Sequence, residues 1–366
     1  MERPLRTIAL LLLALVFIAV VCAGFVFILA GDDLIDFARL AAVRFSVSTR
    51  EDDLQRTVGS DPTPIRFTVN LGDSPPLIAQ NLFSSSLILD AELFSDYVQA
   101  EQLDVELEAG TYFLNQTQTI PQIANALTDS RSSQIIFTIL EGWRMEEIAA
   151  AIDTNPLFGF SGEDFSGVVD AGVNVEPSFA QTVGLPEGAS LEGFLYPDTY
   201  SLPPDITAEG LRDLLTEAFL LAVGDQLTQD AANQGFSLHE MVTLASIIER
   251  EAVQTDEQPL IASAYRNRLE IGQKLDADPT VQYPLGTSEN WWPRITAADY
   301  AGVLSIYNTY LYEGFPPGPI ANPGLAAIRA AIYPAESDYF YFRADCRSDG
   351  YHDFATTYEE HLANGC

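Results

Sequence analysis

The chain of 366 residues carries 52 acidic and 18 basic side chains, which gives a formal net charge of −34 at pH 7. This balance excludes nucleic-acid binding, because affinity for a phosphate backbone needs clustered Lys and Arg, and it argues against docking on anionic lipid. The three histidines and three cysteines show no metal-ligand spacing, so we predict neither a metal nor a cofactor.

The N-terminus predicts a membrane anchor. Thr7 to Ala30 carries no charge, and as a helix this run spans about 36 Å, enough to cross a hydrocarbon core of ~30 Å. Arg3 and Arg6 precede it, so residues 1–6 are predicted to be a cytoplasmic tail and the chain beyond the anchor to be extracytoplasmic. A cleaved signal peptide is the alternative, although its apolar region is usually about 7–15 residues long.

An internal repeat follows a segment, residues 31–61, that starts amphipathic, becomes polar and predicts a tether. The repeat has two clear copies and one looser echo. These are Phe67-Thr68-Val69 with Gly72 and Ile78-Ala79, then Phe137-Thr138-Ile139 with Gly142 and Ile148-Ala149, and the echo Gly110 to Leu114 with Ile120 to Ala124. Each copy predicts a short strand, a turn at glycine and a helix that opens with Ile-Ala. Small β-α modules of this kind more often bind or orient than catalyse.

A helix predicted from Leu238 to Val253 places one carboxyl, that of Glu249, on its apolar face. Ser237 and Glu240 form a capping box at its start. At about 100° per residue, the apolar face collects Leu238, Met241, Val242, Ala245, Ile248, Ala252 and Val253. The other face, predicted to point to solvent, collects Glu240, Thr243, Arg250 and Glu251. Burial raises the pKa of a carboxyl, as a general acid requires; a buried Glu paired with an Arg is the alternative.

Six collinear runs resemble the motifs of the YceG-like endolytic murein transglycosylase (MltG) family. They are Leu191 to Tyr200, Leu244 to Glu251, Asp278 to Tyr283, Tyr307 to Tyr310, Gly314 to Gly324, and His352 with Phe354. The resemblance implies an α+β protein with a transmembrane helix at residues 7–30, a LysM-like β/α module at 62–155, a connecting segment at 156–185 and a mixed α+β catalytic domain at 186–366.

The resemblance also implies an activity and its site. The family cleaves the β-1,4 bond between N-acetylmuramic acid and N-acetylglucosamine in peptidoglycan without water, leaving a 1,6-anhydromuramic end, and its catalytic glutamate corresponds to Glu249. One carboxyl suffices because the nucleophile is the sugar's own 6-hydroxyl, whereas ordinary glycoside hydrolases use two. Hydroxyl, amide and aromatic groups in the motifs suit glycan binding, with bracing of the site as the alternative role. These residues are Asp278, Thr280, Tyr283, Tyr307, Asn308, Thr309, Tyr310 and Asn322.

One position departs from the family pattern. The family usually has Gln before its Thr-Asp-Pro-Thr stretch, where this chain has Asp276-Ala277, and the extra carboxylate is expected to raise the pKa of Glu249 by like-charge repulsion. Two other classes stay open: a non-catalytic peptidoglycan-binding scaffold, and a hydrolase that uses Asp276 or Asp278 as its second carboxylate.

The expected partners follow from the same resemblance. They are peptidoglycan glycan strands, the inner membrane through the single-pass helix, and peptidoglycan synthases beside which nascent strands are cut. Cys346 and Cys366 lie on the predicted outer side, in a compartment that permits a disulfide, and either a bridge or two free thiols is consistent with the sequence.

Overall fold

The computed structural model of the chain describes residues 36–173 and 175–365. The chain divides into two compact units, with the break between Ser133 and Gln134. The motifs placed the end of the LysM-like module at residue 155, whereas the structure assigns residues 134–155 to the second unit.

The first unit combines one antiparallel strand pair with helices. β1 (Ile65–Val69) pairs with β2 (Gly110–Leu114) so that Ile65 lies opposite Leu114. The helices are α1 (36–48), α2 (Glu51–Leu54), α3 (Pro75–Ser84), α4 (Ala91–Ala100) and α5 (Ile120–Ala126), with 3-10 turns at Leu103–Val105 and Ser130–Ser132. The core packs one face of the strands against the helices; its members include Phe67, Val69, Ile78, Leu82, Phe94, Tyr112 and Ile123.

Part of the predicted tether at residues 31–61 is folded into this unit. Residues 36–48 are helical, and Val47 and Leu54 are buried in the core of the first unit. No helix among the described residues is long and apolar enough to cross a membrane, and the anchor predicted at residues 7–30 lies outside them.

The second unit is mainly helical and also contains two strand pairs. This mixture of helices and small antiparallel sheets confirms the predicted α+β class. Its helices are α6 (Met145–Thr154), α7 (Gly162–Val169), α8 (Pro177–Val183), α9 (Ala208–Asn233, two segments that meet at Gly224), α10 (Leu238–Glu251), α11 (Gln258–Glu270), α12 (Asp278–Gln282), α13 (Asp299–Gly302), α14 (Leu325–Ile332) and α15 (Tyr358–Ala363), with 3-10 turns at Thr255–Glu257 and Tyr283–Leu285. Two antiparallel pairs join β3 (Ile135–Thr138) to β4 (Thr199–Leu202) and β5 (Tyr341–Ala344) to β6 (His352–Ala355).

The internal repeat has the predicted order of strand, glycine turn and helix in both copies. Gly72 and Gly142 turn the chain with φ of +91° and +78°, in the region that favours glycine. The helices begin at Pro75 and Met145, three residues before the Ile-Ala pairs, so the expectation that Ile-Ala opens each helix is wrong. The two copies belong to different units, since the chain divides between them.

The turn of the C-terminal hairpin carries Cys346. This cysteine is disulfide-bonded. Its predicted partner, Cys366, lies outside the described residues, so the pairing of these two cysteines stays a prediction.

Candidate active site

Helix α10 is buried on nearly all sides, which differs from the amphipathic helix expected from the sequence. Its capping box is present, with the Glu240 N–H donating to Ser237 Oγ at 3.2 Å and the Ser237 N–H donating to the Glu240 carboxylate at 2.8 Å. Every residue from Leu238 to Ile248 except Glu240 is buried. Thr243, expected to face solvent, is fully buried and donates its hydroxyl to the His239 carbonyl at 2.8 Å. The helical wheel fails here because neighbouring helices surround α10.

The last turn of α10 carries two carboxyls that are candidates for an acid–base role, those of Glu249 and Glu251. They project about 200° apart around the helix axis. The expectation that Glu251 faces solvent is wrong. The Tyr265 hydroxyl donates a hydrogen bond to Glu251 Oε1 at 2.8 Å. Burial raises the pKa of Glu251 to about 7, with a further contribution from the negative charge of Asp278. The Tyr265 hydrogen bond and the positive charge of Arg268 act in the opposite direction.

Glu251 lines a cavity of about 500 Å³, which we call the Glu251 cavity. α10, α11, α12, α15 and the β5–β6 hairpin all contribute to its wall. The lining residues are Glu251, Tyr265, Arg268, Asp276, Asp278, Tyr300, Phe342, Arg343, Ala344, His352 and His361. A cavity of this size, with aromatic rings and a few charged groups, falls in the range of small-ligand sites.

Motif residues from distant parts of the chain meet at this cavity. Asp278, at the start of α12, accepts a hydrogen bond from the Tyr310 hydroxyl at 2.6 Å, and the Tyr310 ring stacks on Tyr300 with 4.3 Å between centroids. His352 Nδ1 lies 3.1 Å from the Glu257 carboxylate. Three of the six motif runs, together with Glu251 from a fourth, therefore supply side chains at or directly behind the cavity wall.

Three of the proposed binding residues hold the wall from behind. Thr309 Oγ1 accepts the Ala277 N–H at 3.0 Å, and the Thr280 hydroxyl donates to the Ala277 carbonyl at 2.6 Å. Asn308 Nδ2 donates to the carbonyls of Tyr300 and Val303 at 3.0 and 2.9 Å. Because Thr280, Asn308 and Thr309 are buried and use their polar atoms within the protein, these contacts favour the bracing role.

Glu249 lies on the other side of α10, in a different setting. The Gly324 N–H donates to Glu249 Oε2 at 3.2 Å. Burial raises the pKa of Glu249, and the negative charge of Glu141 raises it further. A Cβ at Gly324 would stand 1.9 Å from Glu141 Oε1, which shows how closely the Glu141 carboxylate approaches this turn. The like charge that acts on Glu249 is Glu141, whereas Asp276 lies in the Glu251 cavity, and the expected effect of Asp276 on Glu249 is therefore wrong.

A buried polar network stands beside the Glu249 side of the helix. Asn322 Oδ1 accepts the N–H groups of Gly193 and Leu195 at 2.9 and 3.0 Å, and its Nδ2 donates to Glu192 Oε1 at 3.0 Å. Glu192, only 1% exposed, also accepts the Met145 N–H at 3.1 Å. Burial raises the pKa of Glu192 to about 8. These bonds join α6 to the Leu191 to Tyr200 run, and they favour the bracing role for Asn322 as well.

Two further proposed binding residues form an aromatic pair next to this network. The Tyr283 and Tyr307 rings lie 4.9 Å apart, and the Arg144 guanidinium sits 4.1 Å over the Tyr283 ring. The Tyr283 hydroxyl donates to Glu192 at 3.4 Å. Neither tyrosine lines the Glu251 cavity, so contact of this pair with a glycan stays a prediction.

Several lining residues carried no signal in the sequence. Tyr265 and Arg268 lie one turn apart on α11, and nothing in the pattern of that helix marks them. Phe342 and Arg343 come from β5 and His361 from α15. Only the long-range packing of the C-terminal hairpin against α11 brings these side chains to Glu251.

Comparison with known proteins identifies the family. Residues 67–365 match the YceG-like family, and the chain belongs to that family. The endolytic murein transglycosylase of Bacillus subtilis (strain 168) is 30% identical over 316 residues, covering 82% of this chain and 83% of that protein. The endolytic murein transglycosylase of Streptococcus pneumoniae serotype 2 (strain D39) is 27% identical over 316 residues, covering 80% of this chain and 56% of that protein.

A solved structure shares the fold. The 2.6 Å crystal structure of the YceG-like protein lmo1499 from Listeria monocytogenes has 30% sequence identity and a TM-score of 0.54 with this chain. The match covers 82% of this chain and 98% of that one.

Proposed function

We propose that this chain is an endolytic lytic transglycosylase of peptidoglycan, with Glu251 as its acid–base group. The observation that carries the proposal is the setting of Glu251: a carboxyl with a pKa of about 7 that faces a cavity of about 500 Å³. A general acid works best when its pKa lies near the operating pH. The relatives named endolytic murein transglycosylases, which match over most of the chain, support the substrate class.

The reaction needs one carboxyl acting twice. Protonated Glu251 donates its proton to the oxygen that leaves C1 of N-acetylmuramic acid, and that oxygen takes the bonding electron pair. The carboxylate then accepts the proton of the 6-hydroxyl as O6 bonds to C1, which closes the 1,6-anhydro ring and restores the acid. No water is consumed. The intramolecular nucleophile has a high effective concentration, and the Tyr265 hydroxyl at 2.8 Å fixes the orientation of the carboxyl.

Glu249 is the second candidate for the acid–base group, since the family resemblance points to it and burial raises its pKa. Its carboxylate, however, accepts the Gly324 N–H on the other side of α10 and does not line the Glu251 cavity. Asp278 and Asp276 lie in the wall of the Glu251 cavity, where a hydrolase would hold its second carboxylate. The chemical nature of the products separates these mechanisms.

Product analysis tests the proposed function. Full-length protein in detergent is incubated with purified glycan strands, and the new ends are identified by mass spectrometry. We expect internal cuts that leave 1,6-anhydromuramic ends. New reducing ends would identify a hydrolase, and unchanged strands would identify a scaffold; either result would overturn the proposal.

The proposed location follows from the N-terminal charges. We propose that residues 7–30 anchor the chain in the cell membrane, that residues 1–6 are cytoplasmic, and that the LysM-like module and the catalytic domain lie outside beside peptidoglycan synthases. Arg3 and Arg6 precede the uncharged run, and Asp32 and Asp33 follow it, which orients such a helix with its N-terminus inside.

A reporter fusion tests this orientation. A phosphatase that folds only outside the cytoplasm, fused after Cys366, is expected to be active, and a reporter that works only in the cytoplasm, fused at the same point, is expected to be inactive. The reverse pattern would contradict both the orientation and the access to peptidoglycan.

A further inference from the structure

Arg343 is a cation of the Glu251 cavity that forms no ion pair with any of the residues that the structure describes. It lies on β5 and lines the cavity, where its Nη1 donates only a long hydrogen bond, 3.4 Å, to the His361 carbonyl. No carboxylate of residues 36–173 or 175–365 forms an ion pair with it. Arg347, in the turn of the same hairpin, pairs with Asp345 and Asp349. Among the described residues, Arg347 is therefore held in ion pairs, whereas Arg343 lies opposite Asp353 in the β5–β6 register without forming an ion pair with it.

The other basic groups of the cavity are less available than Arg343 to bind an anion. Arg268 Nε donates to the Phe340 carbonyl at 2.6 Å and another of its donors bonds the Leu275 carbonyl, so this guanidinium is committed to the backbone. Burial lowers the pKa of His361, and the charges of Arg343 and Arg268 lower it further. Glu251 responds instead to Asp278 and Arg268. The positive charge of Arg343 is thus felt at the His361 side of the cavity.

We propose that Arg343 binds a carboxylate of the substrate while Glu251 cleaves the neighbouring glycosidic bond. This inference rests on the proposed function. The sugar rings of a glycan strand are neutral, and the anions that the strand offers are carboxylates of its stem peptides or, where the peptide is absent, the lactyl carboxylate of muramic acid. A guanidinium matches a carboxylate in shape and charge and holds it through two parallel bonds.

Three strand preparations separate the sources of the carboxylate: strands with free stem-peptide carboxylates, the same strands with those carboxylates amidated, and peptide-free strands with lactyl carboxylates. Full-length wild type is compared with Arg343→Gln, with Arg343→Lys, and with Arg347→Gln as the matched control on the same hairpin. Because the substitution removes charge-assisted hydrogen bonds, Arg343→Gln should raise KM roughly 10-fold to 100-fold on one carboxylate-bearing substrate. The kcat of Arg343→Gln should stay within about twofold of wild type. Arg343→Lys should raise KM less than Arg343→Gln does, and Arg347→Gln should have the KM and kcat of wild type.

The pattern across substrates decides the outcome. An effect confined to free stem peptides names the peptide carboxylate, and an effect confined to peptide-free strands names the lactyl group. An equal KM for Arg343→Gln and wild type on all three substrates, or a loss that persists on amidated strands, would overturn the proposal. Equilibrium binding of the same strands to Glu251→Gln, with and without Arg343→Gln, needs no turnover. It therefore tests Arg343 even if the chain cleaves nothing.

Discussion

Glu251→Gln is expected to reduce strand cleavage by at least about 10²–10⁴-fold, the usual contribution of general acid–base catalysis, in a chain that stays folded. The amide has nearly the shape of the carboxyl and can still accept the Tyr265 hydroxyl, but it can neither deliver nor take a proton. Initial rates of anhydro-end formation measure the effect, and thermal unfolding of the variant shows that its fold is kept.

The neighbouring carboxyl provides a matched control. Glu249→Gln changes the same chemical group two residues away, on the side of α10 that faces Gly324, and is expected to keep activity within a few-fold of wild type. If Glu251 proves dispensable and Glu249 essential, the acid–base role belongs to the other side of the helix.

In the wild type, kcat/KM is expected to fall as the pH rises through about 7, where Glu251 loses its proton.

Glu192→Gln is expected to stabilise the chain at high pH and to change little at low pH. Burial raises the pKa of Glu192 from 4.5 to about 8, so the folded state keeps a proton that the unfolded state has lost. Wild-type stability from this group is therefore greatest below about pH 4.5 and declines as the pH rises to about 8. Glutamine does not titrate, and its advantage should grow across that window to the order of a few kcal/mol.

Chemical denaturation at a series of pH values measures this difference in the free energy of unfolding. Glu187→Gln, an exposed carboxyl in the preceding turn, is the control and should leave the pH dependence of wild type unchanged. A constant difference between Glu192→Gln and wild type from pH 4 to pH 8.5 would show that the buried carboxyl is already ionised in the folded chain.

Local signals in the sequence predicted the elements well and their surroundings poorly. Ser237 and Glu240 marked the start of α10 through their capping box, because capping depends only on residues three apart. The direction of Glu251 depended instead on what packs against the helix. A helical wheel assumes one buried face and assigns the opposite face to solvent. Before its last turn, α10 has no solvent-facing side, because its residues except Glu240 are buried all around the helix.

Strand pairing shows the same limit. The repeat predicted β1 and β3 from their local sequence, yet β3 pairs with β4, which lies about 60 residues further along the chain. The cavity depends on contacts of that range, since β5 and α15 bring Arg343 and His361 to a carboxyl on α10. The motifs indicated which segments matter, and only the packing separates lining residues such as Asp278 from bracing residues such as Asn308.

Cleavage in water labelled with heavy oxygen shows whether Glu251 cuts the strand without consuming water. Full-length wild type, Glu249→Gln and Glu251→Gln are incubated with glycan strands in this water, and the new ends are weighed by mass spectrometry. We expect unlabelled 1,6-anhydro ends from wild type and from Glu249→Gln, and no new ends from Glu251→Gln. Labelled reducing ends, or anhydro ends produced by Glu251→Gln at the wild-type rate, would contradict an acid–base role of Glu251 in a reaction without water.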